Sequence, residues 1–218
     1  MPRQRSRRPG AITGNTEMPD KPHSPIAREI LAFWFGEEPD QPLRNQARWF
    51  KRDDAFDAEV RARFGARLER AAAGAYRAWW ARPRSALAYV LLTDQFSRNI
   101  HRGSGRAFAQ DGLALRCAEA GLERGLERAL APLERWFFCL PFMHGEGLAL
   151  QERSLALFRA LAGEAPPALR ETLDSVVAYA ESHRAVIARF GRFPHRNAAL
   201  GRESTPEEQA WLEAGGGF

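Results

Sequence analysis

The sequence predicts an all-α protein, and three observations lead to that prediction. Apolar residues recur every three or four positions, as in Phe56, Val60, Phe64 and Leu68. No stretch shows the alternation of apolar and polar residues that is typical of a half-buried strand. Proline or small polar residues precede several apolar stretches and glycine follows them, as at helix starts and ends. We therefore expect one compact domain of seven to nine antiparallel helices.

The predicted helices carry recognisable start and stop signals. The first follows Ser24-Pro25, because serine caps helices and proline suits their first turn, and it ends before Gly36. The clearest runs to Phe190 and is followed by Gly191, a typical residue after a helix end. The predicted spans are, in order, 25–35, 54–83 with an interruption at Gly74, 85–99, 106–122, 132–143 with a break or kink at Pro141, 145–163, 167–190 and a short helix from Ser204.

The charge of the chain is concentrated at its start. Residues 1–24 hold five basic and two acidic side chains, whereas the whole chain of 218 residues has a net charge of +5. These 24 residues lack apolar periodicity, so we expect a disordered basic arm at 1–24 and a single helical domain at 25–218. Since little net charge is left for the domain, we do not expect a nucleic-acid partner.

Composition excludes several classes of protein. At 44% hydrophobic residues the chain can bury a core, but no apolar run approaches the roughly 20 residues that cross a bilayer. Cys117 and Cys139 both fall in apolar helical surroundings and no CxxC motif occurs, which favours reduced core cysteines over a zinc site. We therefore expect a cytoplasmic protein without a membrane partner. Neither a cofactor nor an oligomeric state is indicated.

Polar residues interrupt the third predicted helix after a fully apolar first half. Asp94, Gln95, Arg98 and Asn99 follow one another within two turns, and Asp94 and Arg98 are spaced to pair on one face. One interpretation is a buried network that holds this helix to its neighbours. The other is a pocket wall in which Arg98 presents its planar guanidinium to an anion.

Two glycine-containing turns are further candidates. His101 to Arg106 reads HRGSGR directly before a predicted helix, so its backbone N–H groups, with Arg106, offer an anion site or an ordinary helix start. After Pro141, His144 and Glu146 stand two residues apart between glycines. That pair suits acid–base chemistry or metal binding, or a plain turn between helices.

The last group surrounds the longest predicted helix. His183 lies on its apolar face, where histidine commonly bonds to a backbone carbonyl. Beyond its end come Arg192, His195, Arg196 and Asn197, which favour an anion site or merely complement the helix dipole. We expect the third, fifth and seventh helices to bring these groups together in one pocket rich in arginine and histidine.

Four stretches in series carry a family resemblance: ILAFWFG, LLTDQFSRNIHRGSGRAF, LPFMHGEGLALQ and RFGRFPHRNAALGRESTPEE. They resemble the bacterial domain-of-unknown-function 924 family over about residues 26–213. The resemblance implies a helical fold similar to tetratricopeptide-repeat proteins, and no reaction. The polar positions that it matches are Asp94, Gln95, Arg98, Asn99, Arg106, His144, Glu146, Gln151, His183, Arg192, His195, Arg196 and Asn197.

Three functions remain open. The first is binding of an anionic small molecule or acidic peptide by Gln95, Arg98, Asn99, Arg106, Arg192, His195, Arg196 and Asn197. The second is a hydrolase-like enzyme, with or without a divalent metal, whose acid and base come from Asp94, His144, Glu146 and His183. The third is a purely structural polar network. No motif assigns a specific reaction, so whether the protein is an enzyme stays undecided.

Overall fold

The computed structural model describes residues 24–37, 43 and 45–218. Regular structure in these residues is helical throughout and includes no strand, so the all-α prediction is confirmed. The predicted disordered arm lies outside the described residues except for Ser24. The α-helices are α1 Pro25–Phe35, α2 Gln46–Trp49, α3 Asp54–Ala72, α4 Pro83–Thr93, α5 Gln95–Ile100, α6 Asp111–Glu123, α7 Pro132–Met143, α8 Leu148–Gly163, α9 Arg170–Phe190 and α10 Pro206–Glu213.

Most of the predicted helix starts agree with the structure. Helix α1 begins at Pro25 behind Ser24, as the sequence indicates. The cap of helix α10 lies one residue later than predicted, at Thr205 rather than Ser204, and the helix begins at Pro206. The Thr205 hydroxyl accepts a hydrogen bond from the Glu208 N–H at 3.2 Å, and the Glu208 carboxylate accepts one from the Thr205 N–H at 2.8 Å.

Two predicted helices are divided. The span 85–99 breaks at Asp94, which separates α4 from α5, and the 106–122 span contains a 3-10 turn, Gly105–Phe108, before α6 begins at Asp111. Conversely, Pro141 does not break α7. The helix continues to Met143, and His144 still donates its N–H to the Leu140 carbonyl at 3.1 Å. A proline near the last turn removes one hydrogen bond without ending the helix.

Helix α4 forms the centre of the fold. Its residues from Ser85 to Thr93 are all buried, and it packs against α1, α3, α6 and α7. A helix that is covered on all sides needs no polar face, which explains the apolar first half of this stretch. Cys117 and Cys139 are buried and unbridged, in agreement with their prediction as core residues. The polar groups that follow α4 therefore emerge from the middle of the core.

Helices α7, α8 and α9 pack side by side next to this core, with α8 between the other two. The segment after α9 folds back over the end of α9, where Phe193 joins Val186 and Ile187 in a second apolar cluster. This return brings residues 192–202 to the turn between α7 and α8. Of the described helices, none is both long and apolar enough to cross a membrane.

The close approach of α6 to α7 makes a test of the packing. A Cβ at Gly121 would lie 2.4 Å from Cζ of the buried Phe138, so we expect Gly121→Ala to lower the free energy of unfolding by about 1–3 kcal/mol. Gly163, in the last turn of α8, has no atom within 4 Å of such a Cβ, and Gly163→Ala should be neutral or stabilising. Urea denaturation measures both, and equal losses would contradict this packing.

Candidate functional site

Asp94 is the centre of the polar site. It lies between α4 and α5, and its side chain is fully buried. One carboxylate oxygen, Oδ1, forms an ion pair with Arg98 Nη1 at 2.9 Å and accepts a hydrogen bond from His144 Nδ1 at 2.7 Å. The other oxygen, Oδ2, accepts one from Gln95 Nε2 at 2.6 Å. The break between the two helices therefore places a charged group in the core, with donors from α5 and from the end of α7.

The partners of Asp94 fix the protonation of this pair. Burial by itself raises the pKa of Asp94, but Arg98 and His144 outweigh it and hold the pKa of this carboxyl below its usual range. Burial, followed by the charge of Arg98, lowers the pKa of His144, so its ring is neutral at pH 7. Because an ionised Asp94 accepts from Nδ1, Nδ1 carries the ring proton and Nε2 is left as an acceptor. Nε2 has no hydrogen-bond partner among the described residues.

Arg98 and Arg196 share a second carboxylate, Asp111. Arg98 binds Asp111 through two parallel hydrogen bonds of 2.9 and 3.0 Å, and it also donates to the Asp94 carbonyl at 3.0 Å. Arg196 approaches Asp111 Oδ2 at 3.5 Å and donates to the His144 carbonyl at 3.0 Å. We call Asp94, Gln95, Arg98, Asp111, His144 and Arg196 the central cluster. Its two carboxylates face two guanidinium groups.

Arg196 is the least satisfied member of the central cluster. Its guanidinium lies between the rings of Phe108 and Phe193, with Cζ 4.6 and 4.5 Å from their centroids. Its Nε is buried and has no hydrogen-bond partner. Burial and then the charge of Arg98 lower the pKa of Arg196 to about 10, so it stays protonated at neutral pH. A charged N–H without an acceptor is costly in a protein interior.

Glu146 does not pair with His144. Its Oε1 accepts a hydrogen bond from the backbone N–H of Phe193 at 2.8 Å, and Arg202 binds both of its oxygens at 2.6 and 2.9 Å. Burial raises the pKa of Glu146, but the hydrogen bonds from Arg202 and Phe193 outweigh it and lower the pKa below its usual value. Glu146 thus anchors the returning 192–202 segment to the turn after α7.

The two histidines of the C-terminal part are neutral at pH 7; His183 is buried and His195 is half-buried. His183 Nδ1 bonds to the Tyr179 carbonyl of its own helix at 2.9 Å, and burial lowers its pKa to about 3. Burial, followed by the charge of Arg196, lowers the pKa of His195 to about 4, and Nδ1 of His195 is buried without a partner. Besides burial, the charge of Arg196 lowers the pKa of both His183 and His195, so both lie near this member of the central cluster.

Several predicted site residues lie in other clusters. Asn99 donates to Asp57 Oδ1 at 2.7 Å, and Arg102 pairs with the same carboxylate, so Asn99 joins α5 to α3. Arg106 is exposed and pairs with Glu69 at 2.7 Å. In the turn before it, a Cβ at Gly105 would lie 2.6 Å from the Ala199 carbonyl oxygen, which explains that glycine by close backbone approach.

Arg192 and Asn197 form a third cluster with Glu208. Arg192 binds the Glu208 carboxylate at 2.6 and 2.7 Å, and Asn197 donates to it at 3.3 Å. The hydrogen bonds from Arg192 lower the pKa of Glu208 to about 2. Gln151 donates to the carbonyls of Met143 and Gly145 at 2.7 and 2.8 Å. These residues hold the loops around the central cluster.

No metal site is found in the part of the chain that the structure describes. Among those residues, no three His, Cys, Asp or Glu side chains are arranged to hold a metal ion. The metal-dependent form of the predicted enzyme therefore has no ligand set there. The acid–base form needs only groups that are present.

The sequence and the fold of this chain are similar to those of known proteins. A model of a family of bacterial proteins of unknown function, DUF924, matches residues 30–216. The chain belongs to the DUF924 family. The solved structure of a protein of unknown function from Agrobacterium tumefaciens, ATU0120, is 38% identical with a TM-score of 0.74, and the match covers 87% of this chain and 97% of that one. Among curated proteins, none matches the sequence.

Some residues of the site were missed by sequence reasoning. Asp111, which joins both arginines in this DUF924 chain, resembles an ordinary acidic residue in the first turn of a helix. Arg202 and Phe108 also carry no distinctive signal, since their partners are distant in sequence. In the sequence, the one hint that Asp111 belongs to the site was that this acidic residue had no assigned partner, while the arginines of the candidate site needed carboxylate partners. The number of residues between two side chains in the sequence does not indicate whether they are in contact in the folded protein.

The buried histidines predict a loss of stability in acid. In an unfolded chain histidine has a pKa of about 6.5, whereas that of folded His183 is lowered to about 3. As pH falls below about 6.5, the unfolded state takes up the proton first. The stability that neutral His183 contributes is complete above this pH and is lost toward pH 3, by about 1.4 kcal/mol per pH unit.

We therefore expect His183→Gln to reduce the drop in the free energy of unfolding between pH 7 and pH 5, measured with urea. His195 and His144 act in the same direction and remain in this variant. His101→Gln is the control, because His101 is partly exposed and should reduce the drop much less. An undiminished drop in His183→Gln would contradict the assignment.

Proposed function

We propose that this DUF924 protein binds a small anionic group, a carboxylate or a phosphate, at Arg196. The observation that carries the proposal is the buried Nε of Arg196, which has no acceptor although the guanidinium is charged. The group that bears the anion is a small molecule or the end of an acidic peptide. Two free buried cysteines agree with a reducing, cytoplasmic location, which belongs to the same proposal.

The other arginines support Arg196 rather than compete with it. Arg98 is engaged by Asp94 and Asp111, and Arg192 by Glu208. Arg98 thus holds Asp111 in place, and Arg196 forms only a long contact with that carboxylate, 3.5 Å from Nη1 to Oδ2. An arriving oxyanion would supply the missing acceptor. His195, whose Nδ1 also lacks a partner, would offer a second contact.

The plane of the Arg196 guanidinium is already oriented before any ligand arrives. Phe108 and Phe193 lie on it, and the His144 carbonyl accepts from Nη1. A side chain held in this way loses little rotamer freedom on binding. Lysine would keep the charge but lose the planar donors and their packing.

Arg196→Lys tests this proposal directly. Isothermal titration of the full chain with inorganic phosphate and with acetate should show weaker binding in the variant by about tenfold or more, because the charge remains but the Nε–H is lost. Arg189→Lys is the matched control, since Arg189 is exposed and pairs with Glu207. Circular dichroism verifies that both variants are folded. Equal affinity of Arg196→Lys and wild type, or no binding by wild type, would refute the proposal.

A second candidate function is supported by the Asp94–His144 pair. A buried carboxylate orients the His144 ring through Nδ1 at 2.7 Å and leaves Nε2 without a partner, while 14% of the side chain is exposed. A neutral imidazole held in this way is suited to act as a general base that takes a proton from water. The bound anion would then belong to a substrate for hydrolysis: the water oxygen bonds to the acyl or phosphoryl centre, the ester bond breaks, and the leaving oxygen takes up the proton that His144 removed from the water.

The enzyme candidate predicts a specific loss in His144→Gln. With p-nitrophenyl phosphate, which carries the anion, as substrate, kcat/KM should fall by about 100-fold or more, because the general base is removed. His101→Gln lies outside the central cluster and should retain the wild-type value. Identical rates for wild type and His144→Gln would exclude His144 as the base and leave the binding proposal untouched.

A further inference from the structure

The ring of Phe218 occupies an aromatic recess next to the central cluster. It stacks on the His183 imidazole with centroids 3.6 Å apart and planes 13° apart. The edges of Tyr179, His195 and Phe193 surround it, with centroids at 5.3, 5.5 and 6.1 Å. We call Tyr179, His183, Phe193 and His195 the ring recess. Stacked and edge-on contacts around one ring are the arrangement that aromatic groups prefer.

Phe218 is a displaceable occupant of this recess. The described tail makes its last backbone hydrogen bond from the Gly216 N–H to the Trp211 carbonyl at 2.9 Å. Gly217 has a φ of +143°, a conformation that favours glycine, and Phe218 itself is 45% exposed. Beyond Gly216 the ring contacts alone hold the tail in the described structure. A ligand ring of similar size needs to replace only those contacts.

The recess and the anion site share a wall. The Phe193 ring contacts Phe218 on one side and carries the Arg196 guanidinium, 4.5 Å from its centroid, on another. His195 lies 5.5 Å from the ring centroids of both Phe193 and Phe218, and its buried Nδ1 has no partner. The recess and the anion site therefore adjoin each other through Phe193 and His195.

We infer that the ligand is an aromatic anion, whose ring takes the place of Phe218 against His183 while its carboxylate or phosphate binds Arg196. This inference rests on the proposed function and names the chemical class of its ligand. Phe218 acts as an intramolecular substitute for the ligand ring and competes with it. The apparent affinity for an aromatic anion is then reduced by the fraction of molecules in which Phe218 fills the recess.

Phenyl phosphate and inorganic phosphate are the probes that separate ring from anion. In Phe218→Ala, titration of the full chain should show phenyl phosphate binding about fivefold more tightly than to wild type, with inorganic phosphate unchanged. Phe50→Ala is the matched control, because Phe50 is an exposed aromatic residue of α2's end and lies outside the recess. It should change neither affinity. Unchanged affinity for phenyl phosphate in Phe218→Ala, or equal tightening for both probes, would overturn the inference.

A separate readout distinguishes failure of this inference from failure of the anion proposal. The proton on Cε1 of His183 lies under the Phe218 ring, so its NMR signal should move downfield in Phe218→Ala and return when benzyl alcohol, a neutral ring, is added. If the signal moves in this way but the wild type binds no phosphate, the anion site at Arg196 is refuted, and the aromatic anion with it. The recess would still be supported. A signal that does not move in Phe218→Ala would refute the recess, whatever phosphate does.

Discussion

The burial of the Asp94 carboxylate is the constraint on which the rest of the site depends. A charge that is removed from water must be compensated by nearby donors, and the compensation here comes from Arg98 and Gln95 of α5 and from His144 at the end of α7. These contacts join α5 and the turn after α7 to the end of α4. The same carboxylate also orients the His144 ring, so the contacts between these helices and the orientation of the candidate base both depend on Asp94.

The charged groups around Asp94 have fewer hydrogen-bond partners the further they lie from it. Arg98 pairs with two carboxylates, Asp111 is shared between Arg98 and Arg196, and Arg196 keeps a buried Nε without an acceptor. Phe193 joins this end of the network to the aromatic recess, because its N–H binds Glu146 and its ring contacts both Arg196 and Phe218. The unpartnered Nε of Arg196, at the outer end of this network, is the observation from which the anion-binding proposal is argued.

Local signals in the chain account for most of the secondary structure. Apolar periodicity identified the long helices, and the proline start behind Ser24 and the glycine after Phe190 lie where the structure has them. These features depend on neighbouring residues alone, so they can be predicted from sequence. The break at Asp94 could not be predicted in this way, because the carboxylate there pairs with His144, which is 50 residues away along the chain.

The sequence by itself determined the all-α class, the family and the set of unusual polar residues. Polar residues within apolar stretches and the order of motifs along the chain can both be recognised without a structure. Only the tertiary structure decided how those residues are divided. Asn99 belongs with Asp57, Arg192 with Glu208, and Glu146 with Arg202, whereas His144 and Arg196 belong to the central cluster. The physical reason is that each carboxylate accepts from whichever donors the folded helices bring to it, and those donors are up to 85 residues away along the chain.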